Sequence, residues 1–238
     1  CPAAGLAAGD RVVVHPLLPC LTRGLPPCEF CATGRESLCT RVTEGALAPG
    51  LLMGYNASVP GGFGLLTHAH PSRLYKVPAT LTDEQAVLID SLATCLQAVG
   101  DHRPTPGCTV AVYGAGITGQ HTVRLLRALA PGVRAIAIAR HAFQAELAHR
   151  GGADTVLRTP DRRTLAAAAH ATFIPTTLGG GNLLGGVDTV FDCVGSTRSL
   201  QDGILLTRPR GKVVVVGSLA RVGPLDLSAL WARELTLV

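Results

Sequence analysis

From residue 109 onward the apolar positions come in blocks. CTVAVYG, RAIAIA, DTVL, VDTVFDCVG and KVVVVGS are short, nearly continuous apolar runs, and ELTLV begins a sixth. Between them GITGQHTVRLLRALA, AFQAELAHRGG, DRRTLAAAAH and SLQDGILLTRP predict helices, the first strongly amphipathic and the second ended by glycine. A strand that is apolar on both sides needs cover on both faces, and intervening helices supply it. The pattern predicts an α/β fold with a doubly wound parallel sheet.

Before residue 76 the texture is different. DRVVVHP, GGFGLL and SRLYKVP are β-like runs separated by turns and by the cysteine-rich PPCEFCATGRESLC. In LTDEQAVLID, Thr82 and Gln85 have the spacing of a capping box, and a helix is expected to restart at Asp90 and run through LATCLQAV. LGGGNLLGG, residues 178–186, reads as a flexible connection, and no internal repeat is found. Two domains are expected, 1–76 and 77–238.

Composition narrows the class. Charged residues make up 16% and apolar ones 47%, which excludes a disordered or fibrous chain. The formal net charge of +5 is spread out, with no block of like charges, so no nucleic-acid partner is expected. No run is long enough for a membrane helix and the start lacks a signal-peptide pattern, so no membrane partner and a cytoplasmic location are expected. In a reducing compartment, clustered cysteines hold metal more often than they form disulfides.

Gly114, Gly116 and Gly119 form G-x-G-x-x-G between a strand and a helix, with Ile117 and Thr118 inside the turn. The three glycines allow a tight turn, a close backbone approach to pyrophosphate and close packing of helix on strand. The pyrophosphate would sit on the free amides of the helix N-terminus. Dinucleotide binding, and with it a Rossmann sheet, is the expectation. Twenty residues on, where an NAD site carries an acid for the ribose hydroxyls, stand Ala139 and Arg140. That pair leaves NADP or NAD open: Arg140 suits a 2′-phosphate, but a solvated arginine or one stacked on adenine fits as well.

Cys20, Cys28, Cys31 and Cys39 fall within twenty residues around a C-x-x-C. Four thiolates suit closed, structural zinc; the alternative is four unrelated buried thiols. Cys1, Cys95, Cys108 and Cys193 stand singly and read as small core residues.

Taken in order, GDRVVVHP, the cysteine module with GRESLC, GGFG, DEQAVLID-S-LA, GAGITG, AELAHRGGAD and FDCVGS resemble the zinc-dependent medium-chain alcohol dehydrogenases of the sorbitol and threonine dehydrogenase type. The resemblance implies that 1–76 is part of a GroES-like, β-rich catalytic domain. It makes Cys20, Cys28, Cys31 and Cys39 the structural zinc ligands. It places Val194, Gly195, Gly217 and Ser218 as backbone along ribose and nicotinamide, and Ala139–Arg140 at the adenosine ribose. Asp90 falls where the family holds catalytic zinc, and as a helix N-cap it is equally well explained.

Three departures accompany the resemblance. Seven residues, LTRGLPP, separate Cys20 from Cys28 where the family usually has two. The catalytic segment expected before GDRVVV and the continuation expected after ELTLV are lacking, so the chain reads as an internal piece without turnover of its own. His68 and His70 are expected on an exposed strand, outside any metal site. The implied activity is hydride transfer between NAD(P) and an alcohol, polyol or ketone, in a full-length dimer or tetramer. The rival readings are a zinc-free quinone or enoyl reductase of the same fold, a non-catalytic nucleotide-binding remnant and a zinc-ribbon nucleic-acid binder.

Overall fold

A computed structural model describes residues 5–175, 181–217 and 222–238. The chain divides into two compact units, Cys1–Asp90 and Ser91–Val238. The division falls later than the change of sequence texture near residue 76.

In the first unit β1 (Val12–Val14) pairs antiparallel with β2 (Leu74–Lys76), Val13 opposite Tyr75. Between them the chain makes a 3₁₀ turn at Cys20–Arg23, the short α1 (Glu29–Ala32) and a second 3₁₀ turn at Glu36–Leu38. A third turn, Pro71–Arg73, leads into β2. Arg73, almost fully buried, binds both carboxylate oxygens of Glu36 and so fastens the cysteine segment to the end of β2. The Thr82–Gln85 capping box is present and opens α2 (Asp83–Ala86).

Two expectations fail in this unit. Residues 61–70, covering GGFGLL and the two histidines, form no strand. Gly61, Gly62 and Gly64 give this stretch little side-chain area to pack, and Phe63, Leu65 and Leu66 are exposed. His70 instead caps the Pro71–Arg73 turn, its Nδ1 accepting from the Ser72 N–H at 3.2 Å.

The second unit holds all but the first two residues of α3 (Ile89–Asp101), followed by β3 (Thr109–Tyr113), α4 (Ile117–Leu129), β4 (Arg134–Ala139), α5 (Ala142–Arg150), β5 (Thr155–Arg158) and α6 (Arg162–Ala168). A small antiparallel pair, β6 (Thr172–Ile174) and β7 (Asn182–Leu184), follows. Then come β8 (Val187–Asp192), α7 (Thr197–Leu206), β9 (Thr207–Val215), α8 (Ser228–Ala232) and β10 (Thr236–Leu237). The six-stranded sheet is parallel throughout, in the order β10-β9-β8-β3-β4-β5. Read from the other edge this is the 3-2-1-4-5-6 order of the Rossmann fold, with the reversal of strand order between β3 and β8.

The continuous apolar runs are explained by two buried layers. Val110, Val112, Ala137, Ala139, Phe191 and Val214 form one with Val123 and Leu126 of α4 and Ala148 of α5. Ala111, Ile136, Ile138, Val190 and Val213 form the other with Leu165 of α6 and Ile204 and Leu206 of α7. Neighbouring residues of a strand face opposite layers, so both must be apolar.

Three boundaries differ from expectation. Within the stretch expected to be a loop, Asn182–Leu184 is a strand, and Leu183 is buried. Thr207 begins β9 where the sequence pattern continued the helix; its Oγ1 donates to the Gly203 carbonyl at 2.7 Å and closes α7. Asp90 lies inside the first turn of α3 and is not its N-cap.

Candidate functional site

The cysteine segment is wound so that its sulfurs converge. The ligand atoms of Cys20, Cys28, Cys31 and Cys39 all lie within 4.8 Å of one another. Cys20 Sγ and Cys39 Sγ are 3.7 Å apart, and both residues are buried. Tetrahedral zinc with Zn–S of about 2.3 Å needs sulfurs about 3.8 Å apart. Cys28 precedes α1 and Cys31 lies one turn on, which turns both toward the same side. The Cys28 N–H points at Cys20 Sγ at 3.3 Å and closes the seven-residue loop.

Electrostatics favour a cation here. Backbone N–H groups of Cys31 and Thr40 lower the Cys28 thiol to about 5. Burial pushes Cys31 up to about 12 and raises Cys20. A lowered Cys28 thiol beside two that burial raises, Cys20 and Cys31, is an arrangement that a divalent ion relieves, since thiolates are its ligands. All four thiols are free of disulfides, and the donor set fits zinc. Of the single cysteines, Cys95 is buried, Cys108 and Cys193 are half-buried, and Cys1 lies outside the described residues.

The glycine turn lies at the C-terminal end of β3, at the reversal of strand order. Gly114 has φ +92, and a Cβ there would meet Val194 Cγ2 at 2.4 Å. A Cβ on Gly119 would lie 1.8 Å from the Gly114 carbonyl oxygen, so α4 packs on the turn at a distance only glycine allows. Gly116 differs: a Cβ there would point into open space. Gly116 is also the N-cap of α4, and the first-turn amides of Ile117, Thr118 and Gly119 follow it. This is a cradle into which a phosphate fits.

The turn after β8 is fixed by a buried acid. The N–H groups of Val194 and Gly195 both donate to Asp192 Oδ1, at 2.9 and 3.0 Å, so they face inward and only their carbonyls and the Val194 side chain remain for a ligand. Ser199 Oγ donates to Asp192 Oδ2 at 3.0 Å, fixing α7 to the same carboxylate. Asp192 is fully buried, and burial raises its pKa against the pull of those donors. Gly217 packs on this turn, its missing Cβ 2.4 Å from the Val194 nitrogen. Ser218 lies outside the described residues.

At the end of β4, Ala139 is 2% exposed and its side chain packs in the core. Arg140 is exposed. The structure adds a cation that the sequence pattern did not single out: Arg158, exposed at the end of β5, stands in register beside Ala139. Only strand pairing brings the two together. A cavity of about 590 Å³ follows the end of β5 and is lined by Pro160, Asp161, Thr197, Arg198, Gln201 and Asp202 among others. Tyr113 donates its hydroxyl to Asp202 at 2.8 Å and so joins β3 to that wall. The acid of FDCVG was the available signal for Asp192; Arg158 and the α7 residues had none.

Asp90 is exposed, and among the described residues it belongs to no group of three or more metal-ligating side chains.

Comparison with known proteins agrees with this geometry. The family described as zinc-binding dehydrogenase matches residues 118–238, just over half of the chain. The L-idonate 5-dehydrogenase of Vitis vinifera is 27% identical over 240 residues, covering 98% of this chain and 58% of that relative's length. A Sinorhizobium meliloti protein solved with NADP superposes with a TM-score of 0.69 at 25% identity, covering 98% of this chain and 62% of that one. The RspB structure from Escherichia coli, complexed with NADH, has a TM-score of 0.69 at 23% identity over 98% and 62% of the two chains. This chain thus spans about three-fifths of the length of these proteins, and it belongs to the zinc-binding dehydrogenase family.

Proposed function

We propose that this chain serves a zinc-dependent oxidoreductase that moves hydride between a nicotinamide coenzyme, NADP in preference to NAD, and an alcohol or its ketone. The reading is carried by the glycine cradle at the reversal of strand order in a chain that also converges four cysteine sulfurs. The L-idonate 5-dehydrogenase relative supports an alcohol or ketone as substrate class. The bound coenzyme supplies C4 of the nicotinamide as hydride donor or acceptor. The residues of this chain do the holding. The α4 amides from Ile117 to Gly119 receive the pyrophosphate, and Gly114 and Gly119 keep strand and helix close enough for that approach. Asp192 fixes the Val194–Gly195 turn, whose carbonyls line the ribose and nicotinamide side together with Gly217.

Zinc in the four-cysteine shell supplies a structural cross-link. Cys20, Cys28, Cys31 and Cys39 would hold it. Elemental analysis should find about one zinc per chain, lost in Cys31→Ala. Equal zinc in both proteins defeats this assignment. Asp90 is proposed as a contributor to catalytic zinc only together with ligands outside this chain.

Coenzyme choice rests on Arg140 and Arg158. No acid stands at the end of β4 to accept ribose hydroxyl bonds or to repel a 2′-phosphate, and two guanidinium groups flank the position. A charge-assisted bond contributes about 1.5–3 kcal/mol, or roughly 10- to 100-fold in affinity. Calorimetry should find NADPH bound several-fold or more tighter than NADH, with most of the difference lost in Arg140→Ala. A tighter NADH defeats the preference and leaves dinucleotide binding standing.

No described helix is long and apolar enough to cross a membrane, and a cytoplasmic location is proposed. Pairing of two copies through β10, the sheet edge with Leu237 and Val238 exposed, is proposed for the oligomer.

A further inference from the structure

Arg23 sits inside the seven-residue loop between the first two cysteines and is 1% exposed, the largest fully buried side chain of the chain's described residues. A guanidinium has five N–H donors. Here each meets a backbone carbonyl: Nε that of Leu18 at 3.0 Å, Nη1 those of Glu44 and Leu47 at 3.0 and 3.1 Å, and Nη2 those of Ala48 at 3.1 Å and of Gly50. Its own carbonyl accepts the Ala46 N–H at 3.1 Å. Residues 44–50 are therefore strapped onto the cysteine loop by one side chain.

Two features tie this clamp to the metal ligands. Cys20 and Arg23 are the first and last residues of one 3₁₀ turn, where positions three apart eclipse, and both are buried. Among the described residues no ion pair involves Arg23, so its charge is buried on carbonyl dipoles alone. A buried cation without a counter-charge is costly. The cost is met by five well-placed carbonyls, so the side chain and the turn that carries Cys20 are fixed together.

We infer that Arg23 is a positioning residue of the metal lobe: by strapping residues 44–50 to the long Cys20–Cys28 loop it holds Cys20 in its ligating place. This rests on the zinc reading above. The strap can be disturbed without touching Arg23 or any cysteine. Gly45 has φ +80, and a Cβ there would lie 2.5 Å from the Arg23 carbonyl oxygen, so Gly45→Ala pushes the strap off.

The test measures zinc affinity of the full chain by competition with a chromophoric chelator, with NADPH affinity as a parallel reading. Arg23→Met should weaken zinc binding roughly 10- to 100-fold, the usual effect of removing a group that orients a ligand. Arg23→Lys, which keeps the charge but has three donors, should fall between. Gly45→Ala should weaken zinc as well, and Leu21→Ala, exposed in the same turn, should not. NADPH affinity should stay unchanged in all four, which a general loss of folding would not allow. The thiolate-to-cobalt band of the cobalt-loaded proteins should reach full intensity at saturation. If Arg23→Met is not recovered folded, Arg23→Lys and Gly45→Ala decide. Unaltered zinc affinity in Arg23→Met or Gly45→Ala overturns the inference. Zinc content that is indifferent to Cys31→Ala overturns the zinc reading instead.

Discussion

The two units solve the problem of holding a fold together in different ways. In Ser91–Val238, two apolar layers lie on a six-stranded parallel sheet, and Val110, Val112, Phe191, Val190 and Ile204 are completely buried. In Cys1–Asp90 the buried apolar residues among those described are Leu18, Pro19, Cys20, Cys39, Val59, Val77 and Ala86, and two of these are cysteines of the cluster. What replaces the missing layers is polar: Arg23 on five carbonyls, Arg73 on Glu36, Arg11 on Asp83 and the Leu81 carbonyl, and Asn56 on Ala48. Such bonds are directional and contribute little net stability each, about 1 kcal/mol. One unit is thus held by burial and the other by directional polar bonds, to which the proposed zinc would add a cross-link.

The largest test of that contrast is removal of zinc. Binding of structural zinc contributes on the order of 10 kcal/mol in small domains, more than so few buried side chains can supply. Chelation should abolish amide protection over residues 12–77 and leave strands 109–113, 134–139 and 187–192 protected in hydrogen exchange. Protection retained in both regions would show that the first unit holds without its metal.

Next in size is Phe191→Ala. Truncating a fully buried phenylalanine should cost about 3–5 kcal/mol, read as a lower denaturant midpoint for the second unit with zinc content unchanged. A cost below about 1 kcal/mol would mean that the layer under α4 and α5 is not close-packed.

Gly119→Ala tests whether the cradle depends on contact distance. With its Cβ 1.8 Å from the Gly114 oxygen, the turn must move, and NADPH affinity should fall at least about tenfold, or 1.4 kcal/mol. Gly116→Ala, whose Cβ meets nothing in the protein, should lose affinity only through the ligand. A Gly119→Ala protein with full affinity would mean that the turn is more compliant than its contacts suggest.

The smallest effect is expected from pH. Burial, followed by the Arg124 charge, holds the pKa of His121 below its ordinary value. Its unfolded value is about 6.5. The stability it contributes is therefore present above that value and declines as pH falls below it, because the unfolded chain takes up a proton that the folded one resists. His102, lowered by burial and by Lys212, acts with the same sign. The thermal midpoint of the second unit should drop between pH 7.5 and 5.5, and less steeply in His121→Gln. Equal slopes would remove His121 from the account.

Legibility followed the same division. In the second unit one rule, apolar on both sides of every strand, made β3, β4, β5, β8 and β9 readable, and the glycine turn was readable from its place between strand and helix. The misreadings there were local. Leu183 became a strand residue because it found a buried site, and Thr207 ended a helix with a hydroxyl-to-carbonyl bond that no periodicity announces. In the first unit, GGFGLL and THAH looked like strands but had no partner to pair with.

What the sequence determined by itself was the order of elements, the parallel sheet, the cysteine spacing and the glycine fingerprint. Each is a local pattern whose physics acts within one strand, helix or turn. What only the tertiary structure decided were meetings between distant residues. Arg158 stands beside Ala139 because β5 pairs with β4, and Arg23 gathers the carbonyls of residues 44–50 because a loop folds back over it. The Val194 and Gly195 amides turn inward because Asp192 is buried beneath them. Such meetings depend on packing and register, and neither is written in the spacing of residues along the chain.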